Sequence, residues 1–146
     1  IDDYPLRLVA LDSHEPGERK GVFCARRLAW LDDMLAGEPD KPTILFIHHP
    51  PFDIDRHYVG GYRRPKEAED LTALVARHPQ VVRLLCGHVH CSYRASWGGT
   101  IATTMPSVAV DLSKEDDAVA EGAPTYFLHV ASGDGGLVTH TRIVPH

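Results

Sequence analysis

Two histidines separated by a single residue, His88 and His90, directly follow the apolar run Val81–Cys86 and Gly87. A neutral imidazole offers one ring lone pair, and two of them converging on a point make a ligand pair suited to zinc, manganese, iron or copper. On its own a His-x-His is more often a turn cap than a metal site, because so short a pattern recurs by chance. A second pair changes that balance. His48-His49 comes directly after the apolar run Thr43–Ile47 and is itself succeeded by Pro50-Pro51. In extended chain, alternation sends His88 and His90 to one side and Val89 to the other.

The elements that must position these groups are legible from composition and spacing. Both apolar runs are short, aliphatic and β-branched, and each is ended by glycine or proline, which reads as a strand. Apolar residues at nearly every position of residues 81–86 suit a parallel strand covered on both faces. Between the runs, Ala68, Leu71, Leu74 and Val75 recur at helical spacing within residues 67–77. Strand, helix and strand form a βαβ unit, whose crossover places both strand ends at the same edge of a parallel sheet. Open α/β sheets place ligands at that edge. His48 and the pair His88 and His90, 40 positions further on, are therefore expected to meet.

At this point the chain resembles a family. The blocks Ile47-His48-His49-Pro50-Pro51 and Cys86-Gly87-His88-Val89-His90 look like the last two signature blocks of the calcineurin-like metallophosphoesterases. Leu11-Asp12-Ser13, Lys20-Gly21 and Leu28-Ala29-Trp30-Leu31 resemble the bacterial glycerophosphodiesterase and class III cyclic-nucleotide phosphodiesterase branch. The likeness runs from about Leu6 to Pro106 and covers the second half of the family's domain. It implies an α/β fold, the carboxyl-terminal half of a four-layer α/β/β/α sandwich, with residues 1–146 as one domain. It also implies a dinuclear centre of divalent metal ions, manganese, iron, zinc or cobalt. His90 would bind one metal, and His48 and His88 the other. His49, the residue after the ligand, would serve catalysis by orienting a ligand or the phosphate. The family's first half supplies an Asp-x-His block, a bridging Asp and an Asn-His pair; no Gly-Asn-His-Asp or Gly-Asp block precedes Leu6 here, and Asp2-Asp3 does not substitute.

Composition bounds the alternatives. With 146 residues, 43% hydrophobic and 24% charged, the chain is one domain or part of one and does not have a disordered composition. A net charge of −5 and the lack of a basic cluster interleaved with aromatics disfavour a nucleic-acid surface. An anionic substrate would then be held by metal ions rather than by a basic field. Cys24, Cys86 and Cys91 lack framework spacing and read as reduced thiols of a cytoplasmic protein. No run reaches membrane-spanning length and no signal peptide is visible. The start at Ile1, without methionine, suits a fragment or a processed chain.

The remaining stretches fill in the frame. Residues 6–11 read as a strand, and Asp12 after it as a turn cap ahead of a metal ligand; His14 reads as an exposed loop residue. Residues 22–35 show an amphipathic helix, with Phe23, Leu28, Leu31 and Leu35 on its apolar face, Trp30 and Met34 broadening that face into the core, and Gly37 ending it. Residues 53–65, with His57, Tyr58 and Arg63, form a loop that overhangs the histidines and is as readily a solvated connection as a selectivity loop. Residues 92–97, 100–104, 125–131 and 137–144 read as antiparallel strands of one sheet of a sandwich, joined by glycine-rich turns. His129 and His140 lie within these strands and read as non-ligands.

Three functions remain open on these residues. One is a metal-dependent phosphodiesterase of cyclic nucleotides or glycerophosphodiesters, whose partner is a small phosphodiester and which is inactive, or nearly so, as this chain alone. Another is a non-catalytic interaction module keeping the fold. The weakest is a mononuclear zinc site in which Cys86 or Cys91 joins His88 and His90. An unpaired sheet edge makes a homo-oligomer the expected state.

Overall fold

A computed structural model describes residues 1–54, 61–106, 124–132 and 136–144. His57, Tyr58, residues 111–122 and the tip of the last glycine-rich turn lie outside these described residues. The order of elements is β1 (Arg7–Leu11), α1 (Ala25–Ala36), β2 (Thr43–Ile47), α2 (Pro65–Val75), β3 (Val81–Cys86), β4 (Tyr93–Trp97), β5 (Thr100–Thr104), β6 (Thr125–Ala131) and β7 (Leu137–Ile143).

Strands β1, β2 and β3 lie side by side and parallel, and the sheet continues through β5 to β4 in the order β1-β2-β3-β5-β4. Successive right-handed crossovers running in one direction along a sheet leave their helices on one face. The helices α1 and α2 accordingly bury Leu31, Leu35, Leu71, Leu74 and Val75 against Val9, Leu45, Leu84 and Ala102. The buried Glu67 in the first turn of α2 ties the helices' approaches together, its Oε2 accepting the Phe23 N–H at 2.8 Å. The opposite face is less covered. In β3 Val81, Leu84 and Cys86 are buried but Arg83 and Leu85 only half so, which departs from the expectation of a strand covered on both sides. Here β6 and β7 pair only with one another, among the described residues, as an antiparallel hairpin. A cleft of about 550 Å³ separates the hairpin from the sheet, lined by Leu8, Ile44, Phe46 and Leu85 on one side and His129 and Leu137 on the other.

Three sequence expectations need correction. The first helix starts at Ala25 rather than residue 22. The Val22 N–H bonds the Ser13 carbonyl at 3.0 Å and Phe23 bonds Glu67, so this stretch is spent on tertiary contacts before the helix begins. Trp30 stays out of the core at 45% exposure, because it lies off the stripe that Leu31 and Leu35 turn toward the sheet. Finally, β4 and β5 do not join the second sheet. Their two-residue turn at Gly98 and Gly99, both at positive φ, forms a hairpin whose second strand pairs in parallel with β3 and extends the main sheet.

Candidate metal centre

The parallel register aligns the ends of three strands: Leu11 lies opposite Ile47, and Ile47 opposite Cys86. The residues just past each strand must therefore emerge along one row at the carboxyl edge. They are Asp12-Ser13 after β1, His48-His49 after β2 and Gly87-His88 after β3. The crossover geometry thus brings His48 and His88 together, with His88 Nδ1 3.1 Å from His48 Nε2. The ligand-type atoms of His48, His49 and His88 all fall within 4.8 Å of one another, and no carboxylate or thiol among the described residues joins the group.

The approach of His88 is not the extended one. Val89 N–H bonds the Gly87 carbonyl at 2.9 Å across His88, whose φ is 72°. That is a three-residue turn with its central residue in the left-handed region, a rare and strained shape. His90 also has a positive φ, 54°. Strand alternation therefore does not apply past Cys86, and His90 stands outside the group formed by the other three histidines. It remains close enough that its charge disfavours charge on His48 and His88. Its Nδ1 is buried without a hydrogen-bond partner among the described residues. At Gly87 the fit is close, since a Cβ there would lie 3.2 Å from His48 Nδ1 and the ring would have to give by a few tenths of an ångström.

Burial is the main cause that lowers the pKa of His48 and of His88, with neighbouring histidines adding to it. Both rings are then neutral near pH 7, the form that ligates. A divalent cation fits here. Adjacent ligands with metal–nitrogen bonds of about 2.0–2.1 Å stand about 3 Å apart, close to the 3.1 Å between His48 Nε2 and His88 Nδ1. The orphaned His90 nitrogen beside them is a polar atom awaiting a partner.

His49 is different. At 5% exposure it is buried, and burial first, then the charges of His88 and His48, pushes its pKa down to about 4. Its Nδ1 lies 2.9 Å from Ser13 Oγ and its Nε2 3.2 Å from the Arg19 carbonyl. Ser13, quoted in the sequence only within the Leu11-Asp12-Ser13 likeness, is a buried neighbour of the site that no chemical argument from sequence singled out. The signal lies in the alternation of buried Leu11, exposed Asp12 and buried Ser13. Asp12 itself caps the turn, accepting the His14 N–H at 2.8 Å and pairing with Arg27 at 2.9 Å. Arg63 pairs with Glu18 at 3.1 Å, His14 and His140 are exposed, and His129 lies on the hairpin. Cys86 lies in the core, where burial pushes its thiol pKa up, away from the ligating thiolate.

A parallel sheet with helices on one face and imidazoles converging at its carboxyl edge defines an α/β protein with candidate metal donors where such sheets place their ligands. Comparisons with known proteins narrow this class. No family model matches the chain. It is 38% identical to a probable glycerophosphodiester phosphodiesterase of Arcobacter nitrofigilis, over 99% of this chain and 55% of that protein. It is 36% identical to a glycerophosphodiester phosphodiesterase of Enterobacter lignolyticus, over 74% of this chain and 40% of that protein. It is 31% identical to the 3′,5′-cyclic adenosine monophosphate phosphodiesterase of Escherichia coli K12, over 93% of this chain and 50% of that protein. These similarities support the resemblance of the two histidine blocks to the calcineurin-like metallophosphoesterases. It spans about half the length of the curated relatives it matches. Among the described residues no helix is long and apolar enough to cross a membrane.

Proposed function

We propose that the chain is the metal-binding, carboxyl-terminal part of a phosphodiesterase domain that hydrolyses small phosphodiesters, either cyclic nucleotides or glycerophosphodiesters. The observation that carries this reading is the 3.1 Å approach of His48 Nε2 to His88 Nδ1 from two strand ends 40 residues apart. In this reading His48 and His88 hold one divalent cation and His90 reaches a second. A divalent cation supplies Lewis acidity toward a phosphodiester's oxygens and lowers the pKa of water. Manganese, iron, zinc and cobalt all suit the imidazole donors, and the relatives' printed activities support the diester substrates. The chain's own residues orient and exclude. His49 holds the two ligand rings against each other, and Pro50 and Pro51 close the edge behind them, both buried. The partner is a small molecule in the cytoplasm rather than nucleic acid or a membrane, and the less covered sheet face favours self-association.

A dinuclear centre needs a bridging acidic group, and the histidine group contains no carboxylate among the described residues. The expected result for this chain alone is therefore zinc or manganese binding by titration calorimetry, with hydrolysis of bis(p-nitrophenyl) phosphate near background. A chimera in which the Arcobacter relative's preceding half is joined to this chain should hydrolyse the diester with manganese and lose that turnover in His48→Ala. A folded chimera that binds no metal, or whose turnover survives His48→Ala, overturns the proposal. Metal binding with no hydrolysis by the chimera would favour a non-catalytic module.

A further inference from the structure

The residue tied most closely to the histidine group from outside it comes from the loop after β1. Ser13 is 2% exposed, and its Oγ sits 2.9 Å from His49 Nδ1. On the other side of the ring, His49 Nε2 faces the Arg19 carbonyl at 3.2 Å. A carbonyl can only accept, so Nε2 must carry the ring proton. In a neutral imidazole Nδ1 is then a bare lone pair, and the Ser13 hydroxyl has to be its donor. The same hydroxyl oxygen faces the His49 backbone N–H at 3.4 Å, so one serine holds the residue at two points.

The loop gives these bonds no slack. The Ser13 carbonyl is itself anchored by the Val22 N–H at 3.0 Å. Gly21 presses on the ring so closely that a Cβ there would come within 2.8 Å of His49 Cβ and 3.1 Å of Cγ. With both nitrogens used inside the protein, His49 keeps no lone pair for a cation. Its ring still packs at 4.8 Å from that of His48, nearly perpendicular at 86°, and at 4.7 Å from that of His88.

We infer that Ser13 is a positioning residue: it fixes His49 as the Nε2–H tautomer, turning a third histidine of the cluster from a competing ligand into a wall that sets the facing of His48 and His88. The cation half of this statement rests on the function proposed above; the tautomer half does not. Replacing Ser13 by Ala leaves Nδ1 buried without a donor, so the ring is released to flip or to exchange its proton between nitrogens. Ser13→Thr keeps the hydroxyl and should restore the parent state.

Histidine ring nitrogens of the metal-free, nitrogen-15-labelled protein can be read by long-range nitrogen–proton NMR. The expected result is a single His49 species protonated at Nε2, a mixture in Ser13→Ala, and the single species again in Ser13→Thr. On adding zinc, ring signals of His48 and His88 should shift while His49 keeps its Nε2 proton. Zinc affinity should fall about 10-fold in Ser13→Ala, the lower range for supporting hydrogen bonds around a metal site, and recover in Ser13→Thr. The parent spectrum alone decides the tautomer even if Ser13→Ala fails to fold. A proton on Nδ1 in the parent, or His49 shifting as a ligand on zinc addition, overturns the inference. Failure of the parent to bind zinc would count against the phosphodiesterase reading, while the tautomer spectrum would still decide the role of Ser13.

Discussion

Leu45 and Phe46 are neighbours in β2 and point to opposite faces of one sheet. The first is 0% exposed beneath the helices, and the second is 40% exposed beside the hairpin. The difference extends across the strands. On the helix side Val9, Leu45, Leu84 and Ala102 form a closed core, each less than 5% exposed. On the hairpin side an apolar cleft remains, and Arg83 Nε, Thr103 Oγ1 and His129 Nε2 are buried without hydrogen-bond partners among the described residues. Buried polar groups are ordinarily paired, so this face is energetically unfinished. The histidine cluster draws its precision from the finished face. The strand ends that carry His48 and His88 are held by the register of β1, β2 and β3 and by the helices packed over them. The hairpin face, with its open cleft, adds little to that geometry.

The largest expected effect tests this asymmetry directly. Leu45→Ala should destabilise by about 2–5 kcal/mol, the range for emptying a closed core site, whereas Phe46→Ala should cost about 1 kcal/mol or less, since much of the ring already meets water. Urea unfolding of the two variants gives both numbers, and equal losses would break the comparison.

Acid should act on the finished face next. The pKa of His49 is pushed down from 6.5 to about 4, and those of His48 and His88 are lowered too, chiefly by burial. Unfolded histidines titrate near 6.5. Above that value both states are neutral and the stability is fully present. As pH falls from about 6.5 toward 4, the unfolded chain takes up protons that the folded chain refuses, so stability is lost. The urea midpoint of the metal-free protein should drop between about pH 7.5 and pH 5, with a shallower drop in His49→Asn. A midpoint that rises on acidification would contradict the burial of His49.

The smallest effect has the opposite sign and belongs to the unfinished face. The His129 Nδ1–Thr139 Oγ1 bond spans the hairpin at 2.9 Å, while Nε2 has no hydrogen-bond partner among the described residues. Removing both partners together in His129→Leu/Thr139→Val should raise stability by about 1 kcal/mol, because an orphaned buried nitrogen disappears along with the bond. Thermal unfolding checks it, and a loss of stability would show that the cleft is better satisfied than its hydrogen bonds indicate.

What the sequence determined by itself was the part governed by local periodicity and punctuation. The bounds Val81–Cys86, Thr43–Ile47 and Thr100–Thr104 come from apolar runs stopped by glycine, proline or polar residues. The meeting of His48 with His88 came from the same source, because one handed crossover fixes where two parallel strands end. Tertiary structure decided the features that depend on partners distant in the chain. The hairpin β4–β5 joined the main sheet because β3 had a free edge, which no local pattern encodes. His90 falls outside the close group of His48, His49 and His88, and the backbone turns through positive φ at both His88 and His90, which periodicity does not report. Ser13 became part of the site only when three strand ends came into register, since in sequence it stood out only within the Leu11-Asp12-Ser13 likeness and by its place on the buried parity. Periodicity reports which face a residue occupies; which side chain waits for it on the neighbouring strand is settled only by register, and register is a property of the folded sheet.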